Sequence, residues 1–174
     1  MPAAVVQAKI NTGTGPTVSN AEAGIGFGLA DAVDAGSSPV TKPTSPGTNY
    51  SYYKTLHLGV DTAGTTTISD RKIRMASTPA TGLYLFFKDG GTTYTQATSS
   101  NKPPDDSGTN GAVPSGYTAM STSFQTWDAT AVSSGTTGRN GNYVIVVFGV
   151  GNNYTGSPGP AVSLPNIELQ YLES

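Results

Sequence analysis

Tyr143-Val144-Ile145-Val146-Val147-Phe148-Gly149-Val150 is the stretch that decides the fold. Its β-branched and aromatic side chains favour extended backbone. Because it is apolar on both parities, it reads as a central strand covered on both faces. Working outward, Leu56, Leu58 and Val60 alternate with Thr55, His57 and Gly59, a strand with one apolar face and His57 on the other. The turn Asp61-Thr62-Ala63-Gly64 leads to a second strand over 66–76, with Ile73 and Met75 inward and Lys72 and Arg74 outward. Ile68 falls on the opposite parity, which predicts a bulge or a change of sheet near Ser69 and Asp70. The basic run Arg71, Lys72 and Arg74 reads as the solvated side of that strand.

Further strands follow from the same period. Residues 83–88 and 92–97 flank Asp89-Gly90-Gly91 and predict a hairpin. The segment 118–127 reads as one strand, and Ile167, Leu169 and Tyr171 alternate with Glu168 and Gln170 in a terminal one. Between residues 20 and 34, Gly24, Gly26 and Gly28 oppose a helix. At period two, Ala21, Ala23, Ile25, Phe27 and Leu29 read as a strand with a nearly bare glycine face. About seven to nine short strands without a helical period predict an all-β chain, a β-sandwich or jelly roll.

The expected division is an extended Gly/Pro/Thr-rich N-terminal arm and linker over 1–49, followed by a β-sandwich domain over 50–174. The first part has too few bulky apolar residues to bury a core of its own, so it packs on its domain, lies along a partner, or stays loose until assembly orders it. Pro39, Pro43 and Pro46 make its end an extended linker. The loop over 98–116, with Pro103, Pro104 and Pro114, is far longer than the ~4–6 residues of a typical connection, which marks it as functional or mobile.

Composition narrows the function classes. The chain has 174 residues, 22 glycines, 12 prolines, no cysteine and 11% charged residues, against the ~25% charged residues usual for a soluble domain. Nine Lys and Arg with a net charge of −2 argue against a nucleic-acid partner, and no run approaches a membrane span. The N-terminal residues lack the pattern of a signal peptide. A cysteine-free chain of external character without that pattern fits either the mature form of an exported protein whose signal has been removed or a protein made in a host cytoplasm that ends up outside by lysis, as virion components do.

Catalytic chemistry finds little material. His57 is the only histidine, no Gly-x-Ser-x-Gly elbow occurs, and the carboxylates sit mostly in turns. The expectation is no enzyme, no cofactor and no metal. In the Asp105–Gly111 loop, the stretch Asp106-Ser107-Gly108-Thr109-Asn110-Gly111 has the look of a calcium loop, but its third position is Gly108 rather than Asp or Asn, and its twelfth, counted from Asp106, is Tyr117 rather than the bidentate Glu. Aromatics offer another route: Tyr50, Tyr52 and Tyr53 cluster before a strand, while Tyr117 and Trp127 are the ligand-facing candidates of a sugar- or receptor-binding surface.

In overall character, the Gly-rich Ala23-Gly24-Ile25-Gly26-Phe27-Gly28, the Pro/Thr linker over 37–49 and the terminal strand Asn166-Ile167-Glu168-Leu169-Gln170-Tyr171 resemble the decoration or cement proteins of tailed-bacteriophage virions. The resemblance implies a protein on the virion surface that binds the major capsid protein and copies of itself, often as a homotrimer, and stiffens the shell. Val5, Ile10, Ile25, Phe27, Leu29, Tyr50, Tyr52 and Tyr53 are then the expected interface residues. The alternatives are a carbohydrate- or receptor-binding adhesin module of a head fibre, tail tip or lectin, and a tail structural subunit. Tail-tube subunits usually pack a helix against their sandwich, and no helix is expected here.

Overall fold

The computed structural model describes residues 3–21, 25–33, 38–156 and 166–174. Two antiparallel sheets stack face to face. The larger is built from β1 (Val5–Thr12), β2 (Thr17–Asn20), β3 (Thr48–Tyr50), β4 (Lys54–Thr62), β6 (Leu83–Gly91), β7 (Thr118–Ala119) and β10 (Gly138–Gly151). Its order is β2-β1-β4-β10-β6-β7, and β3 pairs with the end of β10. The smaller sheet contains β5 (Thr67–Met75), β8 (Gln125–Asp128), β9 (Val132–Ser133) and β11 (Ile167–Glu173), with β5 between β11 and the two short strands.

The expected central strand is β10, hydrogen-bonded to β4 on one side and β6 on the other. Its even-numbered residues Val144, Val146, Phe148 and Val150 face the small sheet together with Leu56, Leu58, Leu83 and Leu85, and pack in one cluster with Ile73, Met75 and Trp127 of that sheet. Its odd-numbered residues Ile145 and Val147 face the opposite way, into a second cluster with Tyr50, Tyr53, Phe86 and Ala97. The loop over 92–117 covers that outer side. It is anchored rather than loose: Thr48 and Asp106 exchange backbone hydrogen bonds of 3.0 and 2.9 Å, and the Tyr50 hydroxyl donates to the Ala112 carbonyl at 2.6 Å.

Residues 5–20 correct the expectation of a separate arm. β1 lies in the large sheet between β2 and β4, with Lys9 opposite His57 and Ile10 opposite Leu56, and Ile10 is fully buried. The alternation Val6, Ala8, Ile10 was an ordinary strand period, passed over because the segment as a whole is poor in bulky residues. The strand expected over residues 21–29 does not form at Ile25, Phe27 or Leu29, and Ala23 lies outside the described residues. Gly26 N–H instead donates to the Val33 carbonyl, a loop whose Ile25 and Phe27 pack on the core beside Phe148. Buried Lys54 reaches into this loop and donates to the Ala30 carbonyl at 3.1 Å and to that of Ala32.

Two strands are arranged differently from the expectation. The Asp89-Gly90-Gly91 segment is the end of β6, and residues 92–97 form no returning strand. The single strand expected over 118–127 is two: β7 joins the large sheet through Phe86 and Phe87, and β8 joins the small one through β5. The chain therefore changes sheets between Ala119 and Gln125.

The bulge expected near Ser69 and Asp70 is present, with Asp70 at φ 47° and a register shift opposite 170–172. It brings Ile68 to the same buried side as Arg71, Ile73 and Met75, which share one parity by plain alternation. The Arg71 side chain, expected in solvent, is thus 0% exposed. Its guanidinium meets a second bulge, over 141–143 in β10, where pairing with β4 skips from Asn140 to Val144. A bulge leaves backbone groups without ladder partners, and the small sheet supplies them. Arg71 Nε donates to the Asn140 carbonyl at 3.1 Å, and Asn142 N–H donates to Asp128 Oδ2 at 2.8 Å. Arg71 Nη1 pairs with that same carboxylate oxygen at 3.2 Å and donates to the Thr130 carbonyl at 2.6 Å. Nη2 donates to the Ile68 carbonyl at 3.1 Å and to Asn140 Oδ1. Every guanidinium donor is occupied, so a charge that would be costly in a core becomes the polar staple between the sheets.

Candidate functional site

The expected interface residues separate into buried and exposed sets. Ile10, Tyr50 and Tyr53 are core, Tyr52 packs on the outer cluster, and Ile25 and Phe27 pack on the inner one. They hold this chain's own layers together, with Ile25, Phe27 and Tyr52 partly exposed. Val5 and Leu29 remain exposed, joined by Val18, Val113 and Leu172, which the sequence reading did not single out.

Tyr117 and Trp127 do not form one ligand platform. They lie on opposite faces of the large sheet. Trp127 is buried between the sheets, its indole N–H directed at the Asn142 carbonyl at 3.4 Å. Tyr117 is half-buried on the outer side, with the Lys88 ammonium 4.6 Å from its ring centroid, and burial pushes its hydroxyl pKa well above the usual phenol range.

Two grooves open on the outer side of the large sheet. The first, about 380 Å³, is walled by the long loop, with Tyr117, Pro103, Pro104 and Pro114 among its lining. Its charged groups are already engaged: Lys102 pairs with Asp105 at 2.7 Å, and the same carboxylate accepts the Tyr50 N–H at 2.9 Å. Asp106 accepts the Thr109 N–H at 2.8 Å. The two carboxylates of the calcium-like stretch therefore serve as backbone ties, and the described residues contain no group of three potential metal ligands.

The second groove, about 480 Å³, lies over β1, β4 and the start of β10, on the part of the outer face that the long loop leaves uncovered. His57, expected on an open strand face, is instead nearly fully buried in its floor beside the Tyr143 ring, 5.4 Å between centroids. Burial, then the Arg139 and Lys9 cations, lowers the imidazole pKa to about 4, so the ring is neutral at pH 7. His57 Nδ1 and the Oδ1 of buried Asn11 have no hydrogen-bond partner among the described residues. Each such group costs about 1–3 kcal/mol. Lys9 is satisfied by Asp61 at 2.8 Å and Asn20 at 2.7 Å. Arg139 lies exposed across the Tyr143 ring, 4.8 Å from its centroid.

The small sheet ends in β11. Its inner edge pairs with β5, with Glu168 opposite Arg74 and an ion pair of 2.6 Å between them. No described strand pairs with its other edge. Leu172, near its end, is 57% exposed. Ala4 N–H donates to the Glu173 carboxylate at 3.3 Å, bringing the start of β1, with Val5 49% exposed, to the same corner.

No described helix is long and apolar enough to cross a membrane. Set against known protein families, curated proteins and solved structures, the chain matches none of them.

Proposed function

We propose that this chain is a non-enzymatic virion structural protein of the decoration type. It binds the outer capsid surface, contacts the major capsid protein and copies of itself, as a homotrimer, and stabilises the shell through contacts that exist only after assembly. The observation that carries this reading is β11, a seven-residue strand with one edge unpaired among the described strands and an exposed leucine near its end. An open edge is a template for a neighbour's strand. The sparse charge supports the same reading, because a surface covered by other subunits does best with few groups to desolvate.

The attachment differs from an arm reaching out from the domain. With Ile10 and β1 inside the sheet, contact falls to the edge of β11 and to the corner where Val5 and Leu172 are exposed. Mixing purified protein with undecorated shells and sedimenting the particles tests it. Wild-type protein co-sediments at a fixed ratio, and Leu172→Lys with Val5→Lys reduces binding at least tenfold. Undiminished decoration by that double variant, or no association of wild type with shells, refutes the reading.

The groove beside Tyr117 favours one second reading, a carbohydrate- or receptor-binding module. Glycan-array binding lost in Tyr117→Ala would support it. Trp127 is no longer a probe for this, since its truncation opens the core.

A further inference from the structure

The backbone of β11 divides its two edges by parity. At one end the Asn166 carbonyl accepts from the Ala76 N–H at 2.8 Å, and at the other Ser174 and Thr67 exchange bonds of 3.0 and 2.8 Å. The bulge between them lies in β5, so Gln170 stays opposite Lys72 and Leu172 opposite Ser69. Even-numbered residues therefore bond to β5, and alternation turns the N–H and C=O groups of Ile167, Leu169, Tyr171 and Glu173 to the open side. Short strands, lysine, proline and bulges are the usual guards on such an edge. β2, β7 and β8, which end the two sheets elsewhere, have four residues or fewer. β11 has seven, with no lysine, no proline and no bulge of its own.

The side chains select the occupant. Ile167, Leu169 and Tyr171 are only partly buried against the inner core, so a strand laid beside them with an apolar row of its own would complete their cover. β11 carries such a row, and two antiparallel copies related by a two-fold axis offer each other the same edge. The parity of the open side restricts this pairing to registers in which odd residues face odd ones, and charge selects among those. Centred on Glu168, the pair would set two carboxylates directly opposite. Centred on Gln170 or Tyr171, it would set Glu173 against Ile167 or Leu169 of the second copy, a carboxylate desolvated beside an apolar side chain. Centred on Leu169, the pair has neither cost. Leu169 then meets its own equivalent and Ile167 meets Tyr171, while on the outer row the Gln170 amide meets Glu168, whose charge Arg74 balances at 2.6 Å. Glu173 falls beyond the paired segment and keeps the Ala4 N–H at 3.3 Å and the Thr66 hydroxyl at 2.6 Å.

We infer that β11 pairs antiparallel with the β11 of a second copy, about a two-fold axis at Leu169, joining the two small sheets edge to edge. This rests on the reading of β11 as a contact strand and names the partner that takes its edge, leaving the Val5 and Leu172 corner to the shell. In a trimeric assembly the contact links one trimer to the next.

Gln170 is exposed, so it can be changed without touching the core. Gln170→Glu sets like charges opposite in both halves of the pair, and Gln170→Lys sets opposite ones. In sedimentation equilibrium without shells, wild type should show twice the mass of Gln170→Glu, whose pairing should be at least tenfold weaker. Gln170→Lys should pair at least as tightly as wild type. Amide exchange at Ile167, Leu169 and Tyr171 should slow as wild-type concentration rises, while that at Glu173 should not. Equal masses for wild type and a folded Gln170→Glu protein, concentration-independent exchange at Leu169, or equal protection at Glu173 overturns the assignment. Doubled mass without decoration of shells sinks only the capsid reading, and decoration by unpaired copies sinks only this one.

Discussion

Gly141→Ala puts the cross-sheet staple to a direct test. Gly141 sits at φ +79°, and a Cβ there would lie 2.3 Å from the Arg71 Cζ and 2.6 Å from Asp128 Oδ2. The left-handed backbone costs an alanine about 1–2 kcal/mol. Displacing the guanidinium also leaves Asp128 buried without its counter-charge, for which about 3–5 kcal/mol is typical. The sum is about 4–7 kcal/mol, a large part of the ~5–15 kcal/mol that holds a domain folded. Gly138 is the control, because it too has positive φ, +113°, but an added Cβ there meets nothing within 4 Å. Gly138→Ala should therefore lose only the backbone part. In urea melts, with a slope of roughly 2 kcal/mol per molar, Gly141→Ala should lower the midpoint by about 2–3.5 M and Gly138→Ala by no more than about 1 M. If the two variants unfold within about 0.5 M of each other, the staple does not hold the sheets as described.

Other perturbations probe different layers. His57 is held neutral with its pKa lowered to about 4 from 6.5, so between those values the unfolded chain binds a proton that the native state refuses. Stability is then full above pH 6.5, falls as the pH drops from 6.5 to 4 by about 3 kcal/mol in total, and levels off for this group below that. Urea melts across that window should show the slope in wild type and lose it in His57→Gln. Asp128 is also held below the usual carboxylate range: burial opposes this, but hydrogen bonds from the Asn142 and Thr130 backbones and the Arg71 charge prevail. Its stabilisation is lost only at lower pH, as the medium falls through its native pKa, and acid titration of Asp128→Asn should lack that final step. Tyr50→Phe removes the 2.6 Å bond to the Ala112 carbonyl. It should cost about 1 kcal/mol and quicken amide exchange in the 98–116 loop, while exchange in β10 is unchanged.

How much of this was legible in the sequence depends on what each residue's own period could reveal. β10 was plain because it is apolar on both parities, and that pattern needs a cover on each side. The sequence could not say that one cover is a second sheet and the other a loop. The loop over 98–116 reads as polar, proline-rich chain, and its anchoring comes from hydrogen bonds to the Thr48 backbone and to the N–H and hydroxyl of Tyr50, partners far away in sequence. Arg71 was half legible. The parity break at Ile68 announced the bulge, and plain alternation puts Arg71 in step with Ile73 and Met75, but charge outweighed phase in reading it as solvated.

The outer groove was illegible for a different reason. Its residues come from strands far apart in sequence, Asn11 on β1, His57 on β4 and Arg139 on β10, and each looks ordinary on its own strand. Only the pairing of β1 with β4, unexpected because residues 1–49 were read as an arm, brings Asn11 onto the same face as His57. The error about the arm and the missed groove are therefore one error. Had the alternation Val6, Ala8, Ile10 been read as a strand, its opposite parity, Gln7, Lys9 and Asn11, would have supplied a polar row with no partner assigned. A β-protein whose apolar strand residues are accounted for by its core shows its outer grooves through the polar residues left on the same strands, here the row beside the lone histidine.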